Sequence, residues 1–281
     1  MKRDTAYWES LYNNRAAVPD YQKFFDRWAA NSERVRKTLR CYLDVSFGTH
    51  PMQKMDIFLP EGRSRALLMF IHGGYWRTLD KKDHSFVASE FARHGVTVAV
   101  TNYALCPAVT IEEIVQQMLQ AGAWLYRNGG NFGAPYGKLH VVGHSAGGHL
   151  TAMMMAALWP TFAPDLPRKV VQGGLAVSGL YDLRDIVKVP SLNSDLRLTP
   201  AQAEKVSPMF YPPQTDAPLY VAVGAKELPP FVEQTKAFGA QWKKVVAADI
   251  PCPDDHHFSV IEKLCDPSSA LFKGAMKMLG L

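Results

Sequence analysis

Residues 138–150 read KLHVVGHSAGGHL, and this stretch decides the fold. The apolar run Leu139 to Val142 reads as a buried strand and passes at once into Gly143-His144-Ser145-Ala146-Gly147. An apolar helix is expected directly afterwards, over 146–158. Strand, small-residue turn and helix in that order put a serine where the chain reverses sharply. Glycines two residues to either side suit such a turn, because its backbone is strained and closely packed. The Ser145 hydroxyl is then pushed out at the carboxyl end of the strand. The N–H groups that open the helix point at the same place, where negative charge is favoured.

Outward from this turn the same alternation recurs. Residues 53–60 alternate as a strand, and Ala66 to Ile71 is a continuous apolar run, as a strand covered on both faces requires. A helix is expected over Asp80 to His94, ended by Gly95, and Val96 to Val100 reads as the next strand. Thr110, with Glu113 three residues on, makes a capping box for a helix to about Arg127. Gly174 to Val177, Leu219 to Val223 and Val245 to Ile250 read as three further strands. Phe258 to Leu281 reads as a closing helix with a break at Asp266-Pro267. Strands alternating with helices predict an α/β chain with a mainly parallel central sheet and helices on both faces. Residues 1–40 read as an N-terminal helical cap segment, interrupted at Pro19-Asp20. Residues 183–217, rich in proline and poor in apolar runs, read as a lid-like insertion that completes a small cap.

The chain has 281 residues, 47% of them hydrophobic, and a formal net charge of +5 at pH 7. Disordered and fibrous classes are set aside by that composition, and a single domain over 1–281 suits the length. The basic residues are scattered, with short patches such as Arg34 to Lys37 and no block interleaved with aromatics, so nucleic acid is not an expected partner. Cys41, Cys106, Cys252 and Cys265 lie far apart, without CxxC or zinc-site spacing. Free thiols, no metal and no cofactor are expected. The opening MKRDTAYWES lacks an apolar signal core, and no stretch has the roughly 20 apolar residues of a membrane span. A cytoplasmic location follows as the expectation, with no membrane partner; a homodimer is left open.

Ser145 becomes a nucleophile only with a base and with a third group that orients the base. His72-Gly73-Gly74-Tyr75-Trp76 follows the strand that ends at Ile71. Its two glycines free backbone N–H groups to join that of Ala146 in an oxyanion hole, so Gly73, Gly74 and Ala146 are the candidate donors. His72 is expected to order this loop rather than to move protons. The chain order of such a site is serine, acid, histidine. Asp254-Asp255-His256-His257-Phe258 follows the last expected strand. Of the two histidines His257 is favoured over His256, because Phe258 fixes its direction. Glu227, just past the strand 219–223, is favoured as the acid over Asp182. The histidines at 84, 94, 140 and 149 lie within expected helices and strands and read as structural.

HGGYW, GHSAGGHL, the Glu227-Leu228-Pro229-Pro230-Phe231 run and HHFSVIEKL stand together in that order. The set resembles the kynurenine formamidase (arylformamidase)-like branch of the α/β-hydrolases, from about residue 10 to the C-terminus. The opening YNNRAAVPDYQKFFDRW is similar to the N-terminal segment of bacterial members. The resemblance implies the α/β-hydrolase fold, Ser145 as nucleophile, His257 as base, and Gly73, Gly74 and Ala146 as oxyanion donors. Glu227 falls where the animal enzymes carry Asp in a DSPEF-like run, which is a departure. Tyr75 and Trp76 are the expected substrate-binding walls. The implied reaction is hydrolysis of a small amide or ester through an acyl-enzyme, with N-formyl-L-kynurenine or a similar N-formyl arylamine as substrate. A carboxylesterase or amidase on another small acyl substrate stays open, as does a non-catalytic binding protein of the same fold. Gly48-Thr49-His50-Pro51 echoes a motif of unrelated metal-dependent formamidases, but the rest of that motif is absent.

Overall fold

The computed structural model describes residues 4–281. Eight strands form one sheet: β1 Cys41–Ser46, β2 Lys54–Phe58, β3 Ala66–Ile71, β4 Val96–Thr101, β5 Leu139–His144, β6 Gly174–Val177, β7 Leu219–Gly224 and β8 Val246–Cys252. Their order across the sheet is β1-β2-β4-β3-β5-β6-β7-β8. The pairs β1/β2 and β2/β4 are antiparallel, and every other pair is parallel. This is the α/β-hydrolase architecture expected from the sequence.

The all-apolar strand β3 shows why both faces are covered. Leu67, Met69 and Ile71 point into one core layer with Ile114, Met118 and Leu150 from the helices Ile111–Asn128 and Ala146–Met155. Leu68 and Phe70 point into the opposite layer with Val35, Phe91 and Phe272 from Tyr21–Thr38, Ala88–Arg93 and Ala270–Met278. Period-two alternation in the strand thus feeds two layers of helices. The chain runs from β3 to β4 on one side and then returns to β5 on the other. The segments that leave β3 and β5 therefore diverge, and they open a crevice at neighbouring carboxyl ends.

The expected helix 111–127 is present with its box, the Thr110 side chain accepting from Glu113 N–H. Three helix expectations need correction. The segment 80–94 is two 3-10 turns, Lys81–Asp83 and Ser85–Val87, before a short helix Ala88–Arg93. His84 separates the turns at φ −119°, ψ 6°, its ring buried and its Nδ1 facing the Asp80 carbonyl. The helix after Ser145 ends at Met155, and Pro160 sits in the first turn of a separate short helix, Trp159–Phe162, where its missing N–H costs nothing. The closing segment starts as a 3-10 turn, Val260–Cys265, and becomes helical only over Ala270–Met278. The edge strand β1 and the helix Pro229–Gln241 have no counterpart in the sequence reading.

Residues 183–217 bury Leu183, Ile186, Val189 and Leu192 against the main core. Glu9, in the helix Thr5–Tyr12, accepts hydrogen bonds from the Ser191 N–H and hydroxyl, so the two outlying segments meet. Among the described residues no helix is long and apolar enough to cross a membrane.

Asp56 is a buried hub on β2. Its wholly buried carboxylate accepts from Arg36 Nη1 at 2.7 Å, Lys81 Nζ at 2.7 Å and the Asp44 N–H at 2.9 Å. It ties the helix 21–38 and the 81–83 turn to the sheet. Asp56→Ala strands the almost wholly buried Lys81 with only Asp44 as partner. The expected loss is about 3–5 kcal/mol of unfolding free energy. Urea denaturation checks it, and a change below about 1 kcal/mol would contradict it.

Candidate active site

Ser145 sits at φ 57°, ψ −119° between β5 and its helix, a backbone conformation a side-chain-bearing residue adopts only under constraint. The constraint is close packing. A Cβ on Gly143 would lie 2.0 Å from the Gly147 carbonyl oxygen, and one on Gly147 would lie 2.0 Å from that of Ile71. Only hydrogen fits at either place. The Ser145 N–H donates to the Val177 carbonyl at 2.8 Å, which fixes the turn against β6.

The expected serine, histidine and acid meet in one hydrogen-bonded chain. Ser145 Oγ is 3.0 Å from His257 Nε2, and His257 Nδ1 is 2.6 Å from Glu227 Oε2. The Glu227 side chain is wholly buried, and its Oε1 accepts from Ser178 Oγ at 2.5 Å and from the Gly224 N–H at 2.8 Å. The carboxylate orders Nδ1–H toward itself, which leaves Nε2 free to accept the serine proton. The rival residues are elsewhere. Asp182 is held by Arg184 at 2.7 Å. His256 turns away, its Nδ1 accepting from the Phe258 N–H and its ring edge-on to Phe24 at 4.8 Å. Partial burial lowers the pKa of His256.

The loop after β3 lies against the serine, since a Cβ on Gly73 would stand 2.9 Å from Ser145 Cβ. Among the described residues the N–H groups of Gly73, Gly74 and Ala146 find no acceptor, which leaves them free for a ligand oxygen. His72 orders the loop: Nδ1 faces the Gly73 carbonyl at 2.7 Å and Nε2 faces Asn102 Oδ1 at 3.0 Å. Tyr75 lines the cavity and donates its hydroxyl to the Tyr12 carbonyl at 2.7 Å. Burial raises its pKa well above the ordinary tyrosine value, so it stays protonated. Trp76 does not match the expectation. It is wholly buried and outside the cavity lining, held by His149, to whose Nδ1 its Nε1 donates at 3.3 Å and against whose ring it packs edge-on at 5.0 Å.

A cavity of about 280 Å³ opens over Ser145, at the low end of small-molecule sites. Tyr12, Phe25, Trp28, Phe258 and Leu192 wall it, and Arg15 stands in its lining. Sequence reasoning missed these, together with Ser178 and His144. Ser178, at the carboxyl end of β6 with φ 53°, carried one signal, a small polar residue ending a buried strand. His144 Nε2 donates to the His257 carbonyl at 2.9 Å. Its pKa is held well below the ordinary histidine range, chiefly by burial and then by His257, so it holds His257 in place as a neutral ring.

The fold and this arrangement define an α/β-hydrolase of the serine type. The BD-FAE family model matches residues 55–163. Kynurenine formamidase from Danio rerio is 30% identical over 262 residues, covering 89% of this chain and 86% of its own. Kynurenine formamidase from Salmo salar is 29% identical, covering 89% and 85%. A solved structure from Silicibacter sp. TM1040, provisionally assigned as a thioesterase, is 34% identical with a TM-score of 0.85, covering 97% of this chain and 98% of its own. The chain belongs to the kynurenine formamidase family.

Two predictions follow from the geometry. Glu227→Gln should lower kcat on the order of a thousandfold or more by losing the carboxylate that orients the histidine, while Asp182→Asn should leave it within a few-fold. Equal effects in steady-state assays would refute the assignment. Burial lowers His84 to a pKa of about 3 and His140 and His149 to about 4. The unfolded chain takes up these protons near pH 6.5, and the folded chain does not. Stability present above pH 6.5 should therefore fall towards pH 4, by at most about 1.4 kcal/mol per pH unit for each histidine. Urea midpoints that match at pH 7 and pH 5 would contradict this.

Proposed function

We propose that Ser145, His257 and Glu227 form a catalytic triad that hydrolyses an N-formyl arylamine, with N-formyl-L-kynurenine as the leading substrate. The hydrogen-bonded chain from Ser145 to Glu227 beneath an aromatic-walled cavity carries the reading. His257 takes the Ser145 proton as Oγ attacks the formyl carbon. The N–H groups of Gly73, Gly74 and Ala146 receive the oxyanion, aided by the opening helix. His257 then gives its proton to the departing arylamine nitrogen, leaving a formyl-serine. Water, deprotonated by His257, attacks this ester, and formate leaves as Ser145 recovers its proton.

The names of the relatives from Danio rerio and Salmo salar support the amide substrate. Ester hydrolysis is the second reading, favoured by a likeness to Esterase LipQ of Mycobacterium tuberculosis (strain ATCC 25618 / H37Rv), 25% identical over 76% of this chain and 56% of its own. The reading includes a single domain whose cap is built from residues 1–40 and 183–217, supported by their contact at Glu9 and Ser191. It also places the chain in the reducing cytoplasm, supported by four cysteines that stand as free thiols.

Turnover of N-formylkynurenine should exceed that of short p-nitrophenyl esters in kcat/KM. Rapid ester turnover with the formamide untouched would overturn the substrate. A fluorophosphonate probe should label Ser145 in the wild-type protein, and labelling should fall at least a hundredfold in His257→Ala. Folded protein without an adduct would overturn the catalytic reading.

A further inference from the structure

The cavity lining contains two arginines and no carboxylate. Arg77 is neutralised, its Nη1 at 2.7 Å from Asp195 Oδ2. Arg15 is not. Among the described residues its guanidinium makes no ion pair and no side-chain hydrogen bond, and it is held instead over two aromatic rings, 5.3 Å from the Tyr21 centroid and 5.6 Å from that of Phe25. A guanidinium placed this way keeps its planar fork of donors free while its face is occupied.

A run of ring contacts relates Arg15 to the reactive end. The Phe25 ring packs edge-on to Phe258 at 5.4 Å, and Phe258 packs edge-on to His257 at 5.6 Å. The cavity therefore has a serine with free N–H donors at one end, aromatic walls, and an unpaired cation two rings away.

We propose that Arg15 is a specificity-determining residue that binds a carboxylate on the leaving-group side of the substrate. The proposal rests on the formamidase reading for which side carries the charge: a formyl group has no room for a carboxylate, so the anion belongs to the arylamine. The substrate class is then an acyl arylamine, or aryl ester, whose aromatic half bears a carboxylate. Lysine keeps the charge but loses the bidentate fork and the stacking face.

The test compares two esters with the same acyl group and ring, 3-acetoxybenzoate and its methyl ester, in the wild type, Arg15→Gln and Arg15→Lys. The wild type should prefer the anionic ester in kcat/KM. Arg15→Gln should cut that preference about ten- to a hundredfold, mainly through KM, with Arg15→Lys recovering part of it. An unchanged ratio in Arg15→Gln would overturn the proposal, as would a wild type without the preference. N-formylkynurenine, run alongside, separates the two claims. If it is not cleaved while the ester preference still depends on Arg15, the formamidase reading fails and the Arg15 assignment stands. If it is cleaved and Arg15→Gln changes neither its KM nor the ester ratio, the Arg15 assignment fails alone.

Discussion

The approach of Gly147 to the last carbonyl of β3 is the contact on which the site depends. With no side chain at either flanking glycine, the turn closes onto Ile71 and holds Ser145 at φ 57°. A non-glycine residue there costs about 1–3 kcal/mol, and it persists only where surrounding packing over-determines it. The same contact sets the second half of the chemistry. The chain leaves β3 at His72 and Gly73, so whatever seats the turn on β3 also seats the free N–H groups beside the serine. The parallel pairing of β3 with β5, register Ile71 with Gly143, makes the two features neighbours.

His257 is brought to Ser145 from the far edge of the sheet by backbone contacts. The Lys226 N–H donates to the Asp255 carbonyl at 3.0 Å, folding the loop after β8 back over the end of β7. His144, one residue before the serine, then holds the His257 carbonyl. Phe258 is clamped by Phe25 and Trp28 from the helix 21–38, at 5.4 and 6.2 Å. That helix is anchored in turn through Trp28 Nε1 and Arg27 to Glu262. The N-terminal residues thus wall the cavity and also steady the loop that carries the histidine.

The fold was legible wherever one local signal was strong. Doubly covered strands need continuous apolar runs, and β3, β4 and β6 start on the residues where those runs start. β1 was illegible because it is a half-exposed edge strand, with Tyr42 and Leu43 facing solvent and a register shift between Tyr42 and Val45. The helix expected at 80–94 failed for another reason. Its apolar residues have helical spacing, but the buried His84 interrupts the ladder. In the site, the residues carried by a turn or a strand end were readable, because their neighbours constrain them. Arg15, Phe25 and Trp28 were not. They reach the cavity from a helical segment whose docking depends on tertiary contacts such as Trp28 with Glu262. Trp76 failed because its partner, His149, lies 73 residues further along the chain, a tertiary contact that the local sequence does not reveal.

Glu227 shows how a departure from the family pattern is absorbed. The resemblance puts an aspartate at this place in animal members, and glutamate adds one methylene, about 1.5 Å of reach. Here the added reach is taken up locally. Oε1 bonds back to the Gly224 N–H three residues earlier, so the side chain folds over its own turn before Oε2 meets His257. Pro229 and Pro230 open the following helix and fix where it starts, and Phe231 packs its ring 4.6 Å from that of the histidine. Ser178 completes the arrangement by donating to the oxygen that His257 does not use. An oxygen buried without a partner would cost about 1–3 kcal/mol, and both oxygens are satisfied here. The longer side chain is therefore matched by a backbone N–H and a serine hydroxyl, and the imidazole meets a carboxylate in hydrogen-bonding position.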